Sequence, residues 1–176
     1  MTSSVAFVGV GAMGGPLAEH VLEQGWQVYV YDADPARVEA VVAVGGEELV
    51  DLGMARDKAD WIVLSLPGPS EVTATVREIL AGSGTTARGI LDLTSSEPST
   101  SRALHEQAQM CSIRYLDAGV LGNPPLARTG SLILLLGGRE QDLEAYWEVL
   151  DVEAYSKRCR LNSSPMITAM VSENVL

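Results

Sequence analysis

Ser4-Val5-Ala6-Phe7-Val8-Gly9-Val10-Gly11-Ala12-Met13-Gly14-Gly15-Pro16-Leu17-Ala18 decides the fold. An apolar run, Val5 to Val8, leads directly into Gly-x-Gly-x-x-Gly, and the glycines lead directly into a helical pattern. A continuously apolar strand is one covered on both faces. Met13, Leu17 and Val21 form one i, i+4 row, and Ala18 and Leu22 another, as expected of a helix lying on a sheet. Gly25 ends that helix. In this order Gly9 permits a tight turn, Gly11 admits a pyrophosphate close to the backbone, and Gly14 lets helix and strand pack closely. The helix start offers free N–H groups and a partial positive charge. The alternative is an α/β domain that binds no nucleotide and whose glycines only shape a turn.

Downstream residues favour the dinucleotide reading. A second strand, Trp26 to Tyr31, ends in Asp32, at the spacing of an acid that holds the adenosine ribose. Asp34 and Pro35 open a helix to Val44 as N-cap and first helical residue. Glu48 to Val50 reads as a short strand. Trp61 to Leu66 reads as a buried strand stopped by Pro67-Gly68-Pro69, and Ser70 as the cap of a helix to about Ala81. Gly89 to Thr94 is the next strand, followed by a helix capped by Ser96 or Ser99 and running to Met110. Arg114 to Val120 and Ser131 to Leu136 read as strands, and Gln141 to Leu150 as a last helix. Such alternation predicts an α/β fold with a doubly wound, mostly parallel sheet. The expected organisation is a cofactor domain over 1–150. Residues 151–176, with Lys157, Arg158 and Arg160, break the alternation and are expected to be a tail, an added helix or the start of another domain.

Composition narrows the function. The chain has 176 residues, 47% of them hydrophobic, so about one domain with a full core is expected. A net charge of −11 disfavours nucleic acid and anionic membrane surfaces. Cys111 and Cys159 lack metal or redox-pair spacing, and Met1 to Ser4 carry no basic leader, so a reduced, cytoplasmic protein is expected. Leu132 to Leu136 is too short to span a bilayer. No metal-ligand cluster or nucleophile–base pairing is evident in the sequence. His20 and His105 are expected on helix surfaces, and Asp117 as a structural acid at a strand end.

Four segments resemble the NAD(P)-binding domain of the β-hydroxyacid dehydrogenases, a family that includes 3-hydroxyisobutyrate dehydrogenase and is related to 6-phosphogluconate dehydrogenase and the imine reductases. They are Phe7 to Ala18, Ala59 to Pro67, Asp92 to Pro98, and Tyr115 to Asn123, within a match over roughly residues 4 to 150. The resemblance implies a Rossmann-type domain and hydride transfer between NAD or NADP and a small hydroxy acid, or a related carbonyl or imine. It implies cofactor contacts at Gly9, Gly11, Ala12, Met13, Gly14, Asp32, Leu66 and Pro67, and contacts of Thr94 and Ser95 with the nicotinamide end or the substrate. From the residues themselves, Arg37 is a further cofactor candidate, and Asn123 is a substrate candidate through its amide. For Thr94 and Ser95 helix capping is the alternative, and for Asn123 a Gly-Asn-Pro-Pro turn. NADP-preferring relatives usually carry Asn-Arg where this chain has Asp32-Ala33, and a carboxylate repels a 2′-phosphate, so NAD is favoured. Arg37 either reaches the adenine or a phosphate or faces solvent.

The chain departs from the family pattern in its substrate loop. The family serine falls at Leu121, the following glycine at Asn123, and the proline at Gly119. The family's catalytic lysine, in a Gly-x-x-x-Lys-x-x-x-Asn setting, has no counterpart, and the neighbours of Lys157 do not match. The family's all-helical second domain does not fit within this length. The expected partners are a small-molecule substrate and either a second copy or a chain supplying the helical domain. A dinucleotide-binding module without turnover is the second reading.

Overall fold

The computed structural model describes residues 3–137, Asp142, 158–160 and 168–171. The first strand, β1 (Ser4–Val8), is buried along its whole length. Its side chains alternate between two cores, as the period of 2 requires. Val5 and Phe7 join Leu17, Ala18 and Val21 of α1 (Gly14–Glu23) and Val38 and Val41 of α2 (Pro35–Val42). Ala6 and Val8 join Val72, Val76 and Ile79 of α4 (Pro69–Ala81) and Leu104 and Ala108 of α5 (Pro98–Met110). Each Val, Leu, Ile and Phe among them contributes about 1.5–3 kcal/mol by leaving water, so the two cores clamp the sheet from both faces.

The remaining strands are β2 (Gln27–Tyr31), β3 (Glu47–Glu48), β4 (Trp61–Leu64), β5 (Gly89–Asp92), β6 (Arg114–Leu121), β7 (Ile133–Gly137), β8 (Arg158–Arg160) and β9 (Thr168–Val171). Their order in the sheet is β3-β2-β1-β4-β5-β6-β7-β9-β8. From β3 to β6 all pairs are parallel; β7, β9 and β8 add antiparallel pairs at one edge. The chain winds outward from β1 through β2 to β3, then returns to β1's other side for β4, β5 and β6. This reversal between β1 and β4 is the switch point at which open α/β sheets bind ligands. The fold is therefore the doubly wound, Rossmann-type sheet expected from the alternation. Two strands from the stretch beyond residue 151 extend it.

Several local expectations are corrected. Asp34 does cap α2, accepting from Ala36 N–H at 3.1 Å, but α2 ends at Val42. Ser70 does not cap α4: Gly68 holds that position and Pro69 is the first helical residue. Neither Ser96 nor Ser99 holds the N-cap position of α5: Glu97 does, before Pro98 and without a side-chain cap bond. In both, the fixed φ of proline suits the first helical position and outweighs the capping preference of serine. The strands β4 and β5 stop at Leu64 and Asp92, each two residues short of expectation. The short strand over 48–50 instead covers Glu47–Glu48. A 3-10 turn, Leu52–Met54, and a short helix, α3 (Ala55–Lys58), connect β3 to β4. The helix expected over 141–150 lies outside the described residues apart from Asp142.

His20 is buried rather than on a helix surface. A short helix, α6 (Pro124–Arg128), and the turn after it pack over α1, and a Cβ at Gly130 would stand 2.4 Å from His20 Nε2. Arg128 of α6 also pairs with Glu19 of α1. His105 is half-buried, its Nδ1 3.2 Å from the Tyr115 carbonyl. The contacts over α1 join residues about a hundred positions apart, and His105 meets the following strand, neither of which helical periodicity reports.

Candidate dinucleotide-binding crevice

The register sets the site. Tyr31, Val8, Leu64, Asp92 and Asp117 are successive partners across β2, β1, β4, β5 and β6. They form one row at the carboxyl ends of the parallel strands. Gly9, Asp32, Leu66 and Thr94 all fall one or two residues beyond that row. Single-residue patterns scattered over some eighty positions thus converge on one edge.

The glycine loop sits tightly between β1 and β4. Gly9 has φ +88° and donates its N–H to Tyr31 O at 2.8 Å. A Cβ there would stand 2.3 Å from the Ser65 carbonyl oxygen, and a Cβ at Gly14 would stand 2.0 Å from the Gly9 carbonyl oxygen. Both are backbone obstacles that cannot swing away. Gly11 differs, since its nearest neighbour is the Arg37 guanidinium, 3.3 Å from the Cβ position. Ala12 is exposed and Met13, half-buried, takes the N-cap position of α1 without a side-chain cap. Gly15 N–H already goes to the Gly11 carbonyl at 3.0 Å and Pro16 has none, so the start of α1 offers the crevice chiefly the positive end of its dipole.

Asp32 is tied to this loop. Its Oδ2 accepts from Val10 N–H at 2.8 Å and its Oδ1 from Asp34 N–H at 2.9 Å, and its side chain is only 8% exposed. Arg37 stands 3.7 Å from Asp32 Oδ1 and 3.4 Å from Asp34 Oδ2, with its own side chain half in solvent. The carboxylate thus locks the glycine loop to the end of β2. Asp32→Ala removes both hydrogen bonds and is expected to lower stability by about 1–3 kcal/mol, read from urea unfolding.

On the other side of β1, the segment after β4 is held by a side chain. Leu66 N–H donates to Thr94 Oγ1 at 3.0 Å, and Thr94 N–H donates to Asp92 Oδ1 at 2.9 Å. Tyr115 OH donates to Asp92 Oδ2 at 2.7 Å. Asp92 is fully buried, and Thr94 and Tyr115 nearly so. Burial pushes the Asp92 carboxyl above the usual carboxylate range; bonds from Tyr115 and Thr94 pull it down and Asp117 adds a smaller push upward. Burial, with Asp92 alongside, raises the Tyr115 phenol so far that it remains a donor.

Pro67 and Ser95 are exposed at the crevice edge. Asn123 is exposed, and its Oδ1 accepts from Leu126 N–H at 3.1 Å as the cap of α6. Leu121, 53% exposed, ends β6 four residues beyond the row at Asp117. Lys157 lies outside the described residues. Among the described residues no group of three or more His, Cys, Asp or Glu could hold a metal ion, and no helix is long and apolar enough to cross a membrane. Asp92 and Tyr115 join the site although no motif assigns them a contact. Their sequence signal is an acid breaking the apolar run Ile90-Leu91-Asp92-Leu93, and its partner lies 23 positions away.

Comparison with known proteins agrees with this architecture. Residues 4–163 match the family described as the NAD binding domain of 6-phosphogluconate dehydrogenase. Bovine mitochondrial 3-hydroxyisobutyrate dehydrogenase is 30% identical over 156 residues, covering 83% of this chain and 44% of the relative. The 3-hydroxyisobutyrate dehydrogenase of Mycobacterium tuberculosis superposes with a TM-score of 0.77 at 27% identity, over 86% of this chain and 52% of that one. A reductive aminase from Aspergillus terreus, solved with NADPH and ethyl levulinate, superposes with a TM-score of 0.71 at 25% identity, over 86% and 53%. The chain spans about half the length of these relatives. With its switch-point crevice, glycine loop and acid-tipped second strand, it belongs to the family of the NAD binding domain of 6-phosphogluconate dehydrogenase.

Proposed function

We propose that this chain is the cofactor half of an NAD(P)-dependent oxidoreductase acting on a small hydroxy acid, or on a related carbonyl or imine. The observation that carries the reading is the glycine loop, in which backbone lies where a Cβ would be at Gly9 and Gly14, directly before an open helix start at the switch point. Such a cradle admits a pyrophosphate. The nicotinamide, when bound, supplies the hydride chemistry. The chain's own residues bind and orient: Gly9 to Gly14 at the pyrophosphate, Asp32 and Arg37 at the adenosine end, and Leu66, Pro67 and Ser95, with Thr94 bonded to Leu66, toward the nicotinamide end.

NAD is the favoured cofactor. The nearly buried Asp32 carboxylate at the end of β2 opposes a 2′-phosphate, and Ala33 supplies no cation beside it. The competing influence is Arg37, half in solvent beside the same carboxylate. Calorimetric titration with NADH and NADPH tests this. NADH is expected to bind at least tenfold tighter, about 1.4 kcal/mol. Tighter NADPH reverses the preference and makes Arg37 the phosphate ligand. In that case Arg37→Ala reduces NADPH affinity and leaves NADH nearly unchanged.

The reading includes a division into a cofactor domain over 1–150 and a tail over 151–176, and placement in the cytoplasm, in keeping with the free thiol of Cys111. Its partner is a second copy or a chain supplying a helical domain, which would cover exposed Leu121 and Leu126. A specific observation favours a second reading, a dinucleotide-binding module without turnover. Leu121 stands where the family has serine, and Asn123 is engaged as a cap. Reduction of a hydroxy-acid-derived carbonyl by NADH after mixing with the helical partner separates the two: turnover supports the enzyme, and binding without turnover supports the module.

A further inference from the structure

We propose that the hydrogen-bonded chain Tyr115–Asp92–Thr94–Leu66 positions the nicotinamide-side wall of the crevice, so that Thr94 acts by holding Leu66 rather than by touching the cofactor. This rests on the cofactor reading above. With the pyrophosphate over the loop after β1 and the adenosine end toward Asp32 on β2, the other half of an extended dinucleotide runs over the ends of β4 and β5. Leu66 and Pro67 are the residues that leave β4 at that end.

The main chain alone does not hold Leu66 there. The β4–β5 ladder closes with Leu64 opposite Asp92, and Leu93 N–H reaches Leu64 O at 2.8 Å. Beyond that point Leu66 N–H is taken not by a β5 carbonyl but by the Thr94 hydroxyl, at 3.0 Å. Thr94 is itself tied to Asp92 through its main chain, its N–H donating to Asp92 Oδ1 at 2.9 Å. Asp92 also accepts Tyr115 OH, so each oxygen of this buried carboxyl takes one donor. The chain runs from the core of the sheet to its rim. At the rim, Leu66 Cδ2 lies 3.1 Å from the Cβ position of Gly9, so the fixed turn also backs the glycine loop.

The test uses two probes, NADH and ADP-ribose, which share the adenosine and pyrophosphate and differ in the nicotinamide. Thr94→Val keeps the shape of the side chain and loses the acceptor. It is expected to weaken NADH about tenfold and leave ADP-ribose within twofold, while Thr94→Ser, which keeps the hydroxyl, restores NADH. Tyr115→Phe, at the far end of the chain and away from the cofactor, is expected to shift NADH in the same direction by about threefold, and carries the test should Thr94→Val not fold. The proposal is overturned if Thr94→Val weakens both probes alike, if it weakens neither, or if Thr94→Ser fails to rescue. If neither probe binds the unaltered chain, the cofactor reading falls, and this one with it.

Discussion

Gly9→Ala is expected to abolish dinucleotide binding and to lower the unfolding free energy by about 3–5 kcal/mol. Two effects combine. The residue has φ +88°, which an L side chain rarely adopts, and its Cβ would stand 2.3 Å from the Ser65 carbonyl oxygen. That oxygen belongs to backbone just beyond a buried strand, so relief requires the glycine loop to lift from β4 or β4 to leave the core. Either movement misdirects the start of α1. Comparison with two other glycines separates the effects. Gly25 shares the positive φ, +84°, with nothing within 4 Å of its Cβ position, so Gly25→Ala should cost about 1 kcal/mol and leave binding intact. Gly11 meets only the flexible Arg37 side chain, so Gly11→Ala should keep the fold and weaken the dinucleotide by crowding the pyrophosphate. Urea unfolding and NADH titration of the three variants check the order. If Gly9→Ala is no less stable than Gly25→Ala, the loop does not seat on β4 as described.

The parts legible in the sequence are those whose physics is local. Val5 to Val8 is apolar because both faces of β1 are covered, and Gly9 and Gly14 recur because backbone crowds them. Both facts show as composition within fifteen residues. Asp34 with Pro35 is equally local and equally readable. The helix starts at Pro69 and Pro98 are as local, but a serine lies beside each proline, and the capping preference of one and the fixed φ of the other point to different first residues. His20 went unread because what buries it, the turn at Gly130, lies more than a hundred residues away. The crevice was legible on the β1–β2 side, where one turn and one acid make it. On the β4–β5 side it was only half legible. Thr94 is visible as a polar residue after a strand, but whether its hydroxyl caps a helix or holds Leu66 is settled by how far two strands run before they part. That distance follows from packing across the sheet.

Asp92→Ala is expected to cost about 3–5 kcal/mol, and the pH dependence of a milder change shows why. The alanine leaves the Tyr115 hydroxyl and the Thr94 N–H without their acceptor, both in the interior. Asp92→Asn keeps one acceptor oxygen, removes the charge, and places an amide donor against the Tyr115 hydroxyl, so its loss at neutral pH should be smaller. Burial holds the native Asp92 carboxyl above the usual range, whereas in the unfolded chain it titrates near ~3.9. Between these two values the native state binds the proton more tightly than the unfolded state does. The contribution of Asp92 is therefore full below the unfolded value and is lost as pH rises through the native one. Asparagine has no such titration, and the other carboxylates are common to both proteins. The stability advantage of the unaltered chain over Asp92→Asn should consequently shrink as pH rises from about 4, measured as the difference of two urea-unfolding series. A flat difference would mean that the hydrogen bonds from Tyr115 and Thr94 fully offset burial. A difference growing with pH would mean that they exceed it, leaving the buried acid a stabilising anion.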